Sequence, residues 1–227
     1  MQFEIQTIVY AILGGALPAI GWLWFWIHQE DENHEPLGLI VMSFITGSLL
    51  VFFAIALERF TFNLGIQGTA QIIIWAAIEE LLKLAGFAVI MYGHSSIDEP
   101  IDYPMYLIAV ALGFAALENV LYLLKPELGV GTIVSLFTGN LRFLGSTLLH
   151  AIASSMIGSA IALSVYLNKN RALYLFFGIT AAIVLHSVFN FFIMDVSGKN
   201  FLSVFGFLWI VAIINILIFE KLKRIGS

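Results

Sequence analysis

Residues 67–92 read QGTAQIIIWAAIEELLKLAGFAVIMY, an apolar stretch that contains three ionisable side chains. About 20 residues in a helix cross the roughly 30 Å hydrocarbon core of a bilayer. A carboxylate at the middle of the bilayer costs roughly 2.5–3.5 kcal/mol on insertion scales. Because this cost is paid repeatedly, Glu79, Glu80 and Lys83 indicate a functional polar centre buried among transmembrane helices.

The composition of the whole chain predicts the same class of protein. It has 227 residues, of which 60% are hydrophobic and 11% charged, whereas soluble domains are about 45–50% apolar and about 25% charged. The apolar blocks are continuous, which argues against the alternating pattern of a transmembrane β-barrel. We therefore predict an all-α, polytopic transmembrane helix bundle that forms a single integral-membrane domain over residues 1–227. The lack of cysteine excludes thiolate chemistry, and no basic patch suggests nucleic acid as a partner.

The apolar blocks predict eight crossings. They cover residues 6–27, 37–57, 67–92, 104–124, 128–141, 142–167, 173–194 and 200–219. Cytoplasmic loops collect Lys and Arg, and an internal N-terminus places seven of these residues inside and two outside. The inner residues are Arg59, Lys125, Lys169, Arg171, Lys221, Lys223 and Arg224, and the outer ones are Arg142 and Lys199. This pattern predicts cytoplasmic N- and C-termini, provided that the short, glycine-containing fifth block crosses the membrane.

Three further helices carry polar residues in apolar surroundings. Glu118 has no basic neighbour on its own helix, so its partner is expected from another one. His150 precedes small residues at four-residue spacing, which allow helices to approach closely. His186 and Asn190 are four residues apart and share a helix face. Structural alternatives remain open: a helix-packing ion pair at Lys83, a protonated Glu118, and a hydrogen-bonded core histidine at position 150.

The charge balance of these side chains leaves two chemistries open. Three carboxylates and one ammonium leave two negative charges in excess, which one divalent cation balances. Adjacent carboxylates at low dielectric can instead share protons. With two imidazoles available, a zinc ion held by nitrogen and oxygen ligands is reasonable chemistry.

The order of these motifs resembles a known family of membrane proteases. In chain order these are Glu79-Glu80-x-x-Lys83, Phe114-x-x-x-Glu118, Arg142 followed by His150, and His186-x-x-x-Asn190, each on a separate predicted helix. This arrangement is similar to that of the PrsW family, a group related to the CAAX prenyl endopeptidases and the CPBP proteins. The similarity covers residues 67–192. The CAAX relatives usually have a histidine where this chain has Glu118, so the departure favours the PrsW branch.

The resemblance implies an intramembrane endopeptidase with a catalytic core at about residues 67–194. By this resemblance Glu79 is the general base, Lys83 holds the glutamate pair, and Asn190 stabilises the oxyanion. Glu118, His150 and His186 are the expected ligands of a divalent metal, with zinc the first choice and Glu80 a further possible ligand. A metal-free mechanism in which a glutamate and a histidine activate water remains the alternative.

The resemblance also implies a partner and a location. The expected substrate is a membrane-anchored protein of the anti-sigma-factor kind, cleaved in the cell membrane of a bacterium or archaeon. A proton- or cation-coupled transporter would use the same buried carboxylates and histidines, although no inverted repeat is evident. A non-catalytic membrane scaffold that retains the pocket is the third possibility.

Overall fold

The computed structural model of the protein describes most of the chain. It covers residues 5–29, 35–92, 97–124, 133–193 and 201–226, leaving aside the side chains of residues 133–144, 193, 201, 225 and 226. These residues form α1 (Ile5–Ile27), α2 (Leu37–Asn63), α3 (Thr69–Met91), α4 (Asp102–Leu123), α5 (Ile133–Tyr166), α6 (Arg171–Ile193) and α7 (Phe201–Gly226). The predicted all-α class is confirmed for the described part of the chain.

Six of these helices are long and apolar enough to cross a membrane: α1, α2, α4, α5, α6 and α7. The exception, α3, has 23 residues but carries Glu79, Glu80 and Lys83, all three of them buried. Apolar side chains cover the outward faces of the bundle, as at Phe52, which is about half exposed. The chain is therefore a multi-pass membrane protein whose charged helix is turned inward.

The centre of the bundle is formed by α4 and α5. Helix α4 packs against α1, α2, α3 and α5, and α5 also contacts α6 and α7. Residues 105–112 of α4 are all buried, so this helix is hydrophobic all round because other helices surround it. This packing holds His150 of α5 in the interior of the bundle, beside Glu118 of α4.

Helices α2 and α4 touch through their backbones. A Cβ atom at Gly47 would lie 1.8 Å from the carbonyl oxygen of Val110, and one at Gly113 would lie 1.8 Å from that of Phe44. The Ser48 hydroxyl also donates a hydrogen bond to the Gly113 carbonyl at 2.9 Å. Small residues permit such contact where lipid supplies no hydrophobic drive between helices.

The small residues of α5 are buried, as their spacing predicts. Ser154 and Ser155 are fully covered. A Cβ atom at Gly158 would lie 2.4 Å from the Cα of Pro104 on α4. The Ser155 hydroxyl donates to the side-chain oxygen of Asn215 on α7 at 2.6 Å. Close packing and interhelical hydrogen bonds thus fix α5 against both neighbours.

The predicted boundary between the fifth and sixth crossings does not appear in the structure. Residues 133–141 continue without interruption into residues 142–166 as the single helix α5. Residues 128–132, including Gly129 and Gly131, lie outside the described residues. A single glycine such as Gly139 costs a helix only about 1 kcal/mol relative to alanine, so it weakens α5 without ending it. The eight crossings are therefore not confirmed.

The direction of α7 also bears on the predicted side of the termini. Trp22 of α1 contacts Trp209 of α7, with ring centroids 6.2 Å apart. Further along both helices, Trp26 contacts Phe219 at 5.1 Å. Because α1 and α7 advance toward the same end of the bundle, the start of α1 and the end of α7 lie at opposite ends. The prediction that both termini are cytoplasmic depended on a separate fifth crossing. That prediction is therefore not confirmed.

We expect Gly47→Ala and Gly113→Ala to destabilise the protein, because either methyl group would separate α2 from α4. Overpacking of this kind costs about 1–3 kcal/mol. Gly206→Ala on α7 is the matched control, since a Cβ atom there meets nothing within 4 Å. Thermal unfolding in detergent should show lower midpoints for the two variants and an unchanged or higher midpoint for the control. Equal midpoints in all three would contradict the backbone contact.

Candidate functional site

The Glu80 carboxylate of α3 is the acceptor at the centre of the site. Its Oε1 accepts hydrogen bonds from Lys83 Nζ at 2.6 Å and from His186 Nδ1 at 2.8 Å. Its Oε2 accepts a third from the Ser154 hydroxyl at 3.3 Å. Glu80 and Lys83 are both fully buried. This carboxylate therefore connects α3 with α5 and α6.

His150 of α5 continues the network toward α4. Lys83 Nζ lies 2.8 Å from His150 Nδ1, and His150 Nε2 lies 2.8 Å from Glu118 Oε2. An ammonium group only donates, so Nδ1 accepts, and we assign the imidazole proton to Nε2, which donates to Glu118. Lys83 also lies 5.0 Å from the centroid of the Phe114 ring, in a cation–π position.

Glu79 is the carboxylate of the site that takes no part in these hydrogen bonds. Its Oε2 is buried and is without a hydrogen-bond partner among the described residues. His186 Nε2 lies 3.7 Å from this oxygen, which is beyond hydrogen-bond distance. Burying a polar atom without a partner is costly. The orphaned oxygen therefore marks a position where a water molecule or a cation would be stabilised.

The same position fits a divalent cation. Glu79, His150 and His186 each offer a ligand atom, and these atoms all lie within 4.8 Å of one another. His186 donates through Nδ1 to Glu80, which leaves a lone pair on Nε2, the usual arrangement of a metal-bound histidine. His150 is less suited to bind a cation in this state, because its Nε2 donates a hydrogen bond to Glu118. The donor set, imidazole nitrogen with carboxylate oxygen, suits zinc.

The structure brings six of the seven predicted site residues together. These are Glu79, Glu80, Lys83, Glu118, His150 and His186. Asn190 lies one turn beyond His186 on α6 and is half-buried. Among the described residues it makes no hydrogen bond to the other six. Arg142 lies on α5, but its side chain is outside the described residues.

Two residues near the site were missed by sequence reasoning. Ser154 is the hydroxyl donor to Glu80, and its position one turn after His150 was the available signal. Glu58 of α2 interacts electrostatically with Glu79. It stands in an apolar block, but only contacts between helices bring it to the site. Asn119, by contrast, donates to the Thr147 hydroxyl at 3.1 Å and acts as a helix-packing amide.

The site reaches the surface of the bundle at Glu118. The side chain of Glu118 is 42% exposed, whereas those of its partner His150 and of His186 are only 2% exposed. The carboxylate thus has one oxygen in the buried network and part of its surface outside it. The molecule is a polytopic membrane protein that holds carboxylates and imidazoles in one largely buried network, which reaches the surface at Glu118.

The chain matches the model of one protein family over residues 35–217. That family is described as "PrsW family intramembrane metalloprotease". The chain is 30% identical over 186 residues to Protease PrsW of Geobacillus kaustophilus, covering 81% of this chain and 79% of the relative. It is 28% identical over 207 residues to Protease PrsW of Oceanobacillus iheyensis, covering 88% and 91%.

A third relative is Protease PrsW of Bacillus subtilis, which is 26% identical over 207 residues, covering 88% of this chain and 92% of the relative. No solved structure matches the chain. The chain belongs to the PrsW family of intramembrane metalloproteases, and it is accordingly an intramembrane protease. The family predicted from the four motifs is confirmed.

We expect Lys83→Met to destabilise the fold strongly, because it leaves the buried Glu80 carboxylate without its ammonium partner. Breaking one side of a buried ion pair costs about 3–5 kcal/mol. The double variant Glu80→Gln/Lys83→Met should lose less than Lys83→Met alone, since it removes both charges. The measurement is the free energy of unfolding in detergent micelles, read as a double-mutant cycle.

The matched control is Lys223→Met near the end of α7, where the partner carboxylate is partly exposed. Lys223 Nζ lies 3.4 Å from Glu220 Oε1, and Glu220 is 43% exposed. Ion pairs of this kind contribute about 0–1 kcal/mol. Equal losses for Lys83→Met and Lys223→Met would contradict the central role of the buried ammonium.

Proposed function

We propose that this protein is an endopeptidase that hydrolyses a peptide bond of a membrane-anchored protein, using water bound beside Glu79. The observation that carries the proposal is the buried Oε2 of Glu79, which has no hydrogen-bond partner among the described residues and lies 3.7 Å from His186 Nε2. Hydrolysis needs a base, a means of polarising water and carbonyl, and shielding from bulk solvent. All three are available at this position.

Glu79 is the proposed general base. A base must accept a proton from water at hydrogen-bond distance, and Glu79 Oε2 has no competing donor among the described residues. The other buried carboxylate, Glu80, is occupied by Lys83, His186 and Ser154. Glu80 and Lys83 are therefore proposed as positioning residues that hold the histidines. Glu79 then returns the proton to the leaving amine.

His186, His150 and Glu118 are the proposed ligands of a divalent cation, with Glu80 a further possible one. When bound, a zinc ion lowers the pKa of water and polarises the scissile carbonyl. His186 presents Nε2 because its Nδ1 is held by Glu80. His150 Nε2 donates to Glu118, so it presents a lone pair to a cation only if this proton is released on binding.

Asn190 is the proposed oxyanion donor. It follows His186 by one turn, about 6 Å along the helix axis, and its amide is half-buried. A substrate carbonyl lying between the two side chains would meet the amide as charge develops. The substrate must unwind locally, since a helical peptide bond is shielded by its own hydrogen bonds.

The finer biology is proposed on the family likeness. The substrate is a membrane-anchored protein of the anti-sigma-factor kind, and the protease acts in the cell membrane as a single domain over residues 1–227, with a catalytic core at about residues 67–194. The transporter alternative is not favoured, since the relatives that match the chain are proteases. Ion flux into liposomes without any proteolysis would revive it.

Glu79→Gln and His186→Ala should separate the base from the cation ligands. We expect Glu79→Gln to lose about 10²–10⁴-fold in kcat, the size of general base catalysis, while its metal content stays at the wild-type level. His186→Ala should lose both activity and metal. Cleavage of a model substrate in detergent and metal analysis of the same purified samples provide the two measurements.

The metal analysis also tests the division of roles. Loss of metal from Glu79→Gln would show that Glu79 is a ligand, as its spacing to His150 and His186 allows, and the base would then be another carboxylate. Ser187→Ala is the control on the same helix, because within the described ranges its hydroxyl donates to the backbone carbonyl of Ile183 and to no residue of the site. It should keep both metal and activity.

Removal of the metal should abolish cleavage reversibly. We expect a chelator to reduce peptide hydrolysis to background, because without a bound cation the water and the scissile carbonyl would no longer be polarised. Zinc added back after the chelator is removed should restore the rate. Full activity in protein that metal analysis shows to be free of metal would instead support the glutamate–histidine mechanism without a metal.

A further inference from the structure

The hydroxyl of Ser154 on α5 is the third donor to the Glu80 carboxylate. It meets Oε2 at 3.3 Å, whereas Lys83 and His186 meet Oε1 at 2.6 and 2.8 Å. Ser154, Glu80 and Lys83 are all fully buried, so bulk water does not replace a donor that is lost. Each oxygen of Glu80 thus has its own donors, and the two oxygens are directed to different helices.

These donors decide how the Glu80 carboxylate is turned. The terminal torsion of a glutamate has a broad, roughly twofold preference, so the side chain itself does not fix the plane of its carboxylate. The ammonium of Lys83 can follow either oxygen, because it carries three rotatable donors on a flexible stem. A hydroxyl donor on Oε2 fixes the plane, and with it the direction in which Oε1 faces His186.

The direction of Oε1 in turn decides which nitrogen of His186 carries the proton. A neutral imidazole is protonated on either nitrogen, and the hydrogen bond that the ring makes selects between them. His186 Nδ1 donates to Glu80 Oε1, which leaves the lone pair on Nε2, 3.7 Å from Glu79 Oε2. A rotated Glu80 carboxylate would take this acceptor away from Nδ1 and allow the proton to move to Nε2.

We propose that Ser154 is a positioning residue that holds the Glu80 carboxylate and thereby keeps the lone pair of His186 Nε2 available to a cation. This inference rests on the proposed function, in which His186 is a ligand. Removing a group that orients a ligating histidine typically costs about 10–100-fold in metal affinity. Ser154 acts one step further out, through a bond longer than most O–H···O bonds, so we expect a smaller loss.

Two other serines of α5 provide matched controls. Ser155 is also fully buried, but its hydroxyl donates to the side chain of Asn215 on α7 at 2.6 Å. Ser159 is buried, and its hydroxyl has no hydrogen-bond partner in the described part of the chain. Alanine at each of these positions removes the same atom from the same helix. The three variants therefore separate a contact with the site from a contact that holds the fold.

Zinc titration of the metal-free protein in detergent, against a chromophoric chelator, measures the effect. We expect Ser154→Ala to bind zinc about three- to tenfold more weakly than the wild type, and Ser154→Thr, which keeps the hydroxyl, to stay within about twofold. Ser155→Ala should lower the midpoint of thermal unfolding by about 2–4 °C at unchanged zinc affinity. Ser159→Ala should change neither quantity.

Nitrogen-15 NMR of the histidine rings gives a second readout, which a loss of stability alone would not move. The metal-free wild type should show His186 protonated on Nδ1, with its signals identified by their absence from His186→Ala. Ser154→Ala should shift this tautomer toward a protonated Nε2, whereas Ser155→Ala should keep the wild-type pattern. Spectra recorded below each unfolding midpoint test the proposal even where the extra methyl group of Ser154→Thr prevents folding.

The outcomes separate this inference from the function on which it rests. If Ser154→Ala keeps the zinc affinity and the His186 tautomer of the wild type, or if Ser155→Ala loses as much zinc affinity, the positioning proposal is overturned while the proposed peptidase remains. If the wild type binds no zinc but Ser154→Ala still shifts the His186 tautomer, the positioning by Ser154 is supported and the proposed metal site is overturned.

Discussion

The buried ammonium of Lys83 is the contact on which the rest of the site depends. It donates to Glu80 on its own helix and to His150 on α5, and it lies over the Phe114 ring of α4. A buried carboxylate without a cationic partner would strongly destabilise the folded protein. With Lys83 in place, Glu80 can accept from His186 as well, so one cation joins four helices.

This arrangement also decides which side chains remain available for chemistry. Since Lys83 donates to Nδ1 of His150, Nε2 carries the proton and is directed to Glu118. Since Glu80 accepts a hydrogen bond from Nδ1 of His186, Nδ1 carries the proton and Nε2 keeps its lone pair. Of the two adjacent glutamates, Glu79 has a buried oxygen to which no side chain or backbone group in the described part of the chain donates. The two adjacent glutamates thus differ in role: Glu80 holds the site together, and Glu79 is available to react.

The close packing around the site has the same physical origin as the site itself. Lipid gives helices no hydrophobic reason to associate, so the bundle relies on backbone contact, as between Gly47 and Val110, and on interhelical hydrogen bonds, as between Ser155 and Asn215. The contact between α2 and α4 fixes α4, the helix that carries Glu118, against its neighbour. Packing that stabilises the fold therefore also positions the side chains of the site.

The sequence by itself determined the class of fold, the membrane location and most of the site, because apolar blocks report the solvent directly and charges inside them are too costly to be incidental. It identified Glu79, Glu80, Lys83, Glu118, His150 and His186, but not which carboxylate each imidazole would face. Only the tertiary structure decided those pairings, added Ser154 and Glu58, and joined residues 133–166 into one helix. The reason is that spacing along one helix is local, whereas the partner of a buried charge is chosen by side chains that other helices bring to it.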